Sequence, residues 1–266
     1  MPFSLCVGLG FFDIGEAIME LLFKEFWKKR HANALAIGFT FAILFAVIRG
    51  FGMLGPLAAR PLIPLGFVIM MVLPFIFLTS AGRRQIGLTK SNSPLAYATA
   101  ILYGVLAATL CFGLGIVLFD KSPDNWFITI RNYYIGQIPG AMDMPLRTFF
   151  IFATVPALIF SPIGEEIFFR GFLQDALQSR FGLQVSMVIE SGIFGLVHLF
   201  HHGLVRTNGV IQFYPLSGML WVILMFLTAY GFALLRKRSG SIYPAIAAHA
   251  VFNLTMNICI FLFLYS

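Results

Sequence analysis

Long apolar segments separated by short polar turns dominate the chain and predict membrane-spanning helices. A spanning helix needs about 20 mostly apolar residues. Seven segments meet this requirement: Ala34–Leu54, Leu62–Ser80, Leu95–Phe119, Leu146–Ile163, Leu183–Phe200, Tyr214–Leu235 and Ser241–Tyr265. Residues 1–23 differ, because Asp13, Glu16 and Glu20 interrupt their apolar positions and basic residues follow them. That pattern is typical of a helix that lies in the membrane interface, and if it crosses the membrane the count becomes eight.

The composition agrees with a chain that is embedded in a bilayer. Of its 266 residues, 59% are hydrophobic and only 11% are charged, whereas a soluble domain carries roughly 25% charged residues. We therefore predict an all-α, polytopic integral membrane bundle of seven or eight transmembrane helices. Residues 1–32 form an N-terminal interfacial or membrane-associated helix, and residues 33–266 form the membrane-embedded bundle.

The charge pattern orients the bundle and excludes nucleic acid as a partner. The formal net charge is +7, but the basic residues lie in short runs between apolar segments and form no patch of a soluble fold. Fewer of them fall in the predicted outer loops, which hold Arg60, Lys121, Arg131, Arg147 and Arg206. Because cytoplasmic loops carry the excess of Lys and Arg, we expect a cytoplasmic N-terminus. The short loops favour a bacterial inner membrane.

Three short polar segments interrupt the apolar second half of the chain. They are Gly164–Gly171, Phe194–His198 and His249–Asn253. Charged groups in hydrocarbon cost at least a few kcal/mol each, so those present usually face a cavity or a partner. We therefore expect these segments to converge on a buried polar pocket.

The spacing within these segments assigns each residue a face of its helix. Glu166 and Arg170 are four residues apart and can form an ion pair, which we assign a supporting structural role. Glu165 points about 100° away from Glu166 and is free to contact another group. His249 and Asn253 are also four residues apart, and they place two hydrogen-bonding groups on one face. Phe194 and His198 share a face in the same way, which positions the ring to shield the imidazole.

This set of side chains can hydrolyse an amide. A buried carboxylate is suited to general-base catalysis near neutral pH. We expect Glu165 to deprotonate a water molecule with the help of His198. His249 and Asn253 can then donate hydrogen bonds to the oxyanion. This chemistry requires no nucleophilic Ser or Cys, and we expect no cofactor.

The pattern Glu-Glu-x-x-x-Arg, then Phe-x-x-x-His, then His-x-x-x-Asn resembles the CPBP family of intramembrane proteases. That family takes in the type II CAAX prenyl endopeptidases and the bacterial bacteriocin-processing and immunity (Abi) proteins. The motifs occur in the family's order across about residues 145–260. The resemblance implies a glutamate-dependent, metal-independent endopeptidase that acts on a membrane-associated or lipidated protein or peptide. It leaves the substrate and the oligomeric state open.

Two alternatives remain open from the sequence. A metal-dependent membrane protease could use Glu165, His198 and His249 as ligands, and a non-catalytic immunity or scaffold protein could have the same fold. A transporter is less favoured, because no internal repeat is evident.

Four further polar positions have no part in this assignment. We interpret His201 and His202 as solvated loop residues that follow the fifth span. Glu190, which lies on roughly the same helix face as His198, and Arg49, inside the first span, are assigned no role.

Overall fold

The structure is a computed structural model that describes residues 22–138, 140–207 and 209–264. The prediction for residues 1–23 therefore falls almost wholly outside the described residues. The described part is mostly helical, in agreement with the predicted class, and it also contains one short β-hairpin that the apolar pattern did not predict.

The described residues form ten α-helices. They are α1 Glu25–Lys28, α2 Ala34–Leu54, α3 Leu62–Phe77, α4 Ser80–Gln85, α5 Pro94–Phe119, α6 Trp126–Gln137, α7 Leu146–Glu165, α8 Gln174–Val197, α9 Pro215–Ser239 and α10 Tyr243–Cys259. π-Helical segments span Glu166–Leu173 and Ile260–Leu264, and short 3-10 turns span Leu57–Ala59 and His198–Phe200. The antiparallel hairpin consists of β1 Leu204–Thr207 and β2 Val210–Phe213.

Six helical runs within the described residues are long and apolar enough to cross a bilayer. They are Ala34–Leu54, Leu57–Phe77, Pro94–Phe119, Leu146–Phe200, Pro215–Ser239 and Tyr243–Leu264. Side chains on their outer faces are strongly exposed, as a lipid-facing surface requires; Val117, for example, is 82% exposed. These runs support an integral membrane protein.

The fourth run is much longer than one membrane crossing needs. Its 55 residues would extend about 80 Å as a straight helix, against a hydrocarbon thickness of roughly 30 Å. Gly182, with φ 76° and ψ 165°, interrupts the helical backbone inside this run. The break lies immediately before the predicted span Leu183–Phe200, so the count of seven or eight spans stays a prediction.

The third helix ends earlier than the apolar pattern predicts because residues near the start of the described chain bind its end. Phe23 forms an isolated antiparallel bridge with Leu78, and the indole of Trp27 donates to the carbonyl of Ile76 at 3.0 Å. The last carbonyls of a helix have no partner within the helix. These contacts satisfy them and allow α3 to end at Phe77.

Two glycines place the polar motifs by allowing close backbone contact. A Cβ on Gly164 would lie 2.7 Å from the carbonyl oxygen of Phe67, and a Cβ on Gly195 would lie 2.8 Å from that of Val222. Small residues permit such close approach of membrane helices. The first contact fixes the end of α7 against α3, and the second fixes α8 against α9.

Two apolar clusters surround the polar motifs. One is built around α5, α6, α9 and α10 and includes Trp221 and Phe232. The other is built around α2, α3, α8 and the segment Glu166–Leu173, and includes Phe168 and Phe194. The rings of Phe194 and Phe232 both contact His249. The polar site therefore lies where the two clusters meet.

Candidate active site

The two adjacent glutamates lie where α7 passes into a π-helical segment. Glu165 is the last residue of α7 and Glu166 begins Glu166–Leu173. Their relative exposures are 1% and 0%, so both carboxylates are fully buried. Short π-helical insertions occur frequently at functional sites. This local geometry directs two consecutive carboxylates to different partners.

Glu165 is held by three side chains from three helices. The guanidinium of Arg49 in α2 pairs with its Oε1. The hydroxyl of Ser161 donates to its Oε2 at 3.1 Å, and Nε2 of His249 lies 3.7 Å from the same oxygen. Its two carboxylate oxygens therefore have different surroundings.

Glu166 forms the predicted pair with Arg170 and a second contact that the spacing did not predict. Arg170 Nε lies 3.2 Å from Glu166 Oε2. Glu166 Oε1 is 2.8 Å from Nδ1 of His249. The carboxylate that was assigned a purely supporting role thus also orients one of the candidate catalytic histidines.

A hydrogen bond to the backbone defines the tautomer of neutral His198. Its Nδ1 is 2.7 Å from the carbonyl oxygen of Phe194, which can only accept. Nδ1 therefore carries a proton, and in the neutral ring Nε2 is an acceptor that Arg49 Nη1 faces at 3.5 Å. The Phe194 ring lies 4.3 Å from the imidazole and shields it, as the four-residue spacing predicts.

Asn253 lies at the wall of the site, one turn from His249. Its side-chain amide nitrogen donates to the carbonyl of Ala157 at 2.9 Å. An amide nitrogen carries two hydrogens, so one donor remains for another acceptor.

A cavity of about 760 Å³ adjoins these residues. Its walls are largely apolar and aromatic, and the polar groups that reach it include Ser161, His198, His249 and Asn253. Tyr133 also lines it, and burial raises the pKa of this tyrosine to about 12, so its hydroxyl stays protonated near neutral pH. The cavity combines an apolar chamber with convergent polar groups, which is typical of a binding site.

Glu190 belongs to the ion-pair cluster around Arg170. Its Oε1 lies 3.7 Å from Arg170 Nε and accepts a hydrogen bond from Ser191 at 3.2 Å. The Arg170 guanidinium also lies over the ring of Phe194, 4.3 Å from its centroid. Glu190 is thus linked to Glu166 through their shared partner Arg170.

Arg49 is the site residue that the sequence analysis missed. Its Nη1 lies 3.5 Å from Nε2 of His198, in addition to its pair with Glu165. The signal that could have found it is its charge, because an ionisable residue inside a membrane span is a functional candidate by default. Helical spacing could not identify its partners, which lie on helices that are far from α2 in the sequence.

The interpretation of His202 as a solvated residue is wrong. The side chain is fully buried, with Nδ1 2.9 Å from the Thr129 hydroxyl and Nε2 2.8 Å from that of Ser217. His201 is partly buried and lines the cavity, and its ring lies 4.8 Å from that of His198. Apolar run lengths could not show that the following loop folds back into the bundle.

Within the parts of the chain that the structure describes, no group of three His, Cys, Asp or Glu side chains is arranged to hold a metal ion. Glu165, His198 and His249 lie near one another, but the guanidinium of Arg49 contacts both Glu165 and His198. A cation in that position competes electrostatically with a metal. The geometry therefore gives the metal-dependent alternative no support.

Comparison with known proteins extends the sequence resemblance. Residues 147–255 match the family described as type II CAAX prenyl endopeptidase Rce1-like. This match confirms the predicted resemblance, and it includes Glu165, His198, His249 and Asn253. No curated protein and no solved structure matches the chain.

Proposed function

We propose that this chain, whose residues 147–255 match the Rce1-like type II CAAX prenyl endopeptidases, is an intramembrane endopeptidase. It hydrolyses a peptide bond of a membrane-associated or lipidated protein or peptide. The nucleophile is a water molecule activated by Glu165. The family match supports peptide hydrolysis, and the site geometry supports the glutamate mechanism.

One observation carries the proposal. Glu165 Oε2 is contacted by Ser161 and His249, and both of these residues line the 760 Å³ cavity. The buried carboxylate thus lies next to two side chains that line a chamber large enough for a substrate segment. The largely apolar walls suit a substrate that enters from the bilayer.

The first step forms the tetrahedral intermediate. Glu165 Oε2 takes a proton from water while the water oxygen bonds to the scissile carbonyl carbon. His198 Nε2, whose lone pair in the neutral ring has only the 3.5 Å contact with Arg49 Nη1, accepts the second hydrogen of that water and orients it. General-base assistance of this kind contributes about 10²–10⁴-fold to a rate.

The developing oxyanion needs hydrogen-bond donors. Asn253 can use the amide hydrogen that Ala157 does not bind. His249 can donate from Nε2 when both of its nitrogens are protonated, and carboxylate oxygens of Glu166 and Glu165 face those nitrogens at 2.8 Å and 3.7 Å. Collapse of the intermediate then breaks the C–N bond, and the proton held by Glu165 passes to the leaving amine.

The test is a comparison of membrane and secreted peptides from cells that lack this protein. The cells are complemented with the wild type or with Glu165→Gln, each with and without a chelator. We expect a cleavage product that returns only with the wild type and persists under chelation, and this product identifies the substrate. A product that returns equally with Glu165→Gln would favour the non-catalytic scaffold, and a product abolished by the chelator would favour the metal-dependent protease.

A further inference from the structure

Arg49 is the only charged residue of α2, and it lies in the described bundle with 4% of its surface exposed. Its guanidinium lies 5.3 Å from the ring of Phe67. A buried arginine inside a membrane helix costs several kcal/mol unless it is paired. Arg49 contacts Glu165 and His198, the two residues proposed to bind the attacking water. These contacts suggest that Arg49 has a function in the reaction.

The guanidinium joins two groups that belong to different helices. Nη2 pairs with Oε1 of Glu165 at the end of α7, and Nη1 lies 3.5 Å from Nε2 of His198 at the end of α8. Because a guanidinium is planar and its N–H groups have fixed directions, it sets the relative position of its two partners. A lysine ammonium has no such planar set of N–H groups and cannot fix two partners in this way.

The pairing also distinguishes the two oxygens of Glu165. Arg49 occupies Oε1, whereas the residues that contact Oε2, Ser161 and His249, line the cavity. Rotation of the carboxylate would break contacts on both sides. Arg49 therefore binds Oε1 and leaves Oε2 to the two residues that line the cavity.

The position of Arg49 is itself fixed by close packing of α2. A Cβ on Gly50 would lie 3.0 Å from the ring of Phe200, which follows His198 by two residues, and a Cβ on Gly52 would lie 2.5 Å from Ile63. Both glycines closely follow Arg49 in α2. The first contact ties α2 to the turn that carries His198, and the second ties it to the start of α3.

We propose that Arg49 is a positioning residue of the catalytic site. It holds Glu165 Oε1 so that Oε2 acts as the base, and it holds His198 at the correct distance from that base. This proposal rests on the proposed function, because positioning has a catalytic meaning only if Glu165 activates water. No contact of Arg49 with the substrate is required.

The kinetic test compares the wild type with Arg49→Gln and Arg49→Lys, each purified in detergent. It measures kcat and KM on the peptide that the comparison of cells identifies as the substrate. Misplacement of a reacting group by about 1 Å can cost roughly 100-fold in rate. We expect Arg49→Gln to lower kcat by at least about 100-fold with KM within about threefold of the wild type. Arg49→Lys should recover part of kcat, because its ammonium can still pair with Glu165. A matched control is Arg206→Gln, which removes an arginine that binds the carbonyl of Leu54 at the end of α2 and should leave kcat unchanged.

A thermal-unfolding cycle tests the pair independently of activity. Glu165→Gln and Arg49→Gln should each lower Tm, since each leaves a buried charge unpaired, and the double variant should recover much of that loss. An active wild type with additive Tm losses, or an unchanged kcat in Arg49→Gln, would overturn the positioning role. Absence of cleavage by the wild type, together with a non-additive cycle, would overturn the proposed function and reduce the pair to a structural one.

Discussion

Glu165 and Glu166 are adjacent in sequence, yet they contact opposite ring nitrogens of His249. Glu166 is the closer, at 2.8 Å from Nδ1. A carboxylate on Nδ1 fixes the orientation of an imidazole and stabilises its doubly protonated form, as the aspartate of a serine-protease triad does. At the level of single residues, Glu166 therefore supports catalysis through His249 and does more than hold the helix in register.

A matched pair of variants separates these roles of Glu166. Glu166→Gln and Glu190→Gln each remove one of the carboxylates next to Arg170, but only Glu166 contacts His249. We expect Glu166→Gln to lower kcat by about 100-fold or more and Glu190→Gln to change it by only a few-fold. The measurement is steady-state kinetics on the purified variants. Equal losses in both variants would mean that the Arg170 cluster, and not the orientation of His249, is what activity depends on.

The residue-level prediction succeeded where partners share a helix. The four-residue spacing predicted the Glu166–Arg170 pair and the stacking of Phe194 on His198. It could not reveal that Arg49 pairs with Glu165, because a contact between residues 116 positions apart depends on how α2 docks against α7. Sequence patterns within one helix carry no information about that docking.

Helix docking at the site depends on Gly164, whose missing side chain allows α7 to contact the backbone of Phe67. Gly164→Ala places a methyl group 2.7 Å from a carbonyl oxygen, so α7 must move and carry Glu165 with it. We expect a loss of stability of about 1–3 kcal/mol together with a reduced kcat. The measurements are unfolding in detergent and steady-state kinetics.

The control for this variant is Gly192→Ala in α8. A Cβ at Gly192 meets no atom within 4 Å, so the substitution should be neutral or slightly stabilising, since alanine favours the helix. A Gly164→Ala protein as stable and active as Gly192→Ala would contradict the importance of this close contact.

His202 links elements at the end of the bundle through the hydroxyls of Thr129 in α6 and Ser217 in α9. Burial lowers its pKa from the ordinary value of 6.5 to about 4. Between pH 6.5 and pH 4 the histidine binds a proton in the unfolded chain but not in the folded protein. His202 therefore costs no stability above pH 6.5, and it lowers the free energy of unfolding as the pH decreases below that value.

The expected loss from this histidine at pH 5 is about 2 kcal/mol. Unfolding in detergent at pH 7 and pH 5 should show a smaller acid destabilisation for His202→Gln than for the wild type, by about that amount. Parallel pH dependence of the two proteins would show that His202 does not contribute to acid sensitivity.

The apolar pattern predicted the long helices well and their ends less well. It predicted α2 with identical bounds, since a helix that crosses hydrocarbon must satisfy its own backbone. It did not predict α6, β1 or β2, because elements this short carry no strong periodic signal. It also placed the end of α3 at Ser80, where contacts from Phe23 and Trp27 end the helix at Phe77.

For the molecule as a whole, the break at Gly182 and the distribution of basic residues lead to a testable topology. If the run Leu146–Phe200 crosses the membrane twice, residues near Gly182 face the cytoplasm and the hairpin of β1 and β2 faces outward. Gln184→Cys and Gln212→Cys, two exposed positions in a background that lacks the natural cysteines, report on the two sides. An impermeant thiol reagent should label Gln212→Cys in intact cells and Gln184→Cys only after permeabilisation. Labelling of both positions in intact cells would contradict the two crossings.

The bundle as a whole places a buried carboxylate next to residues that line an apolar cavity, and we propose that this carboxylate is the general base. The most direct measurement is kcat of purified Glu165→Gln on the identified peptide, with thermal unfolding to show that the variant is folded. We predict a loss of at least about 100-fold in a folded protein, and no effect of a chelator on the wild type. A folded Glu165→Gln protein that cleaves the peptide at the wild-type rate would contradict it.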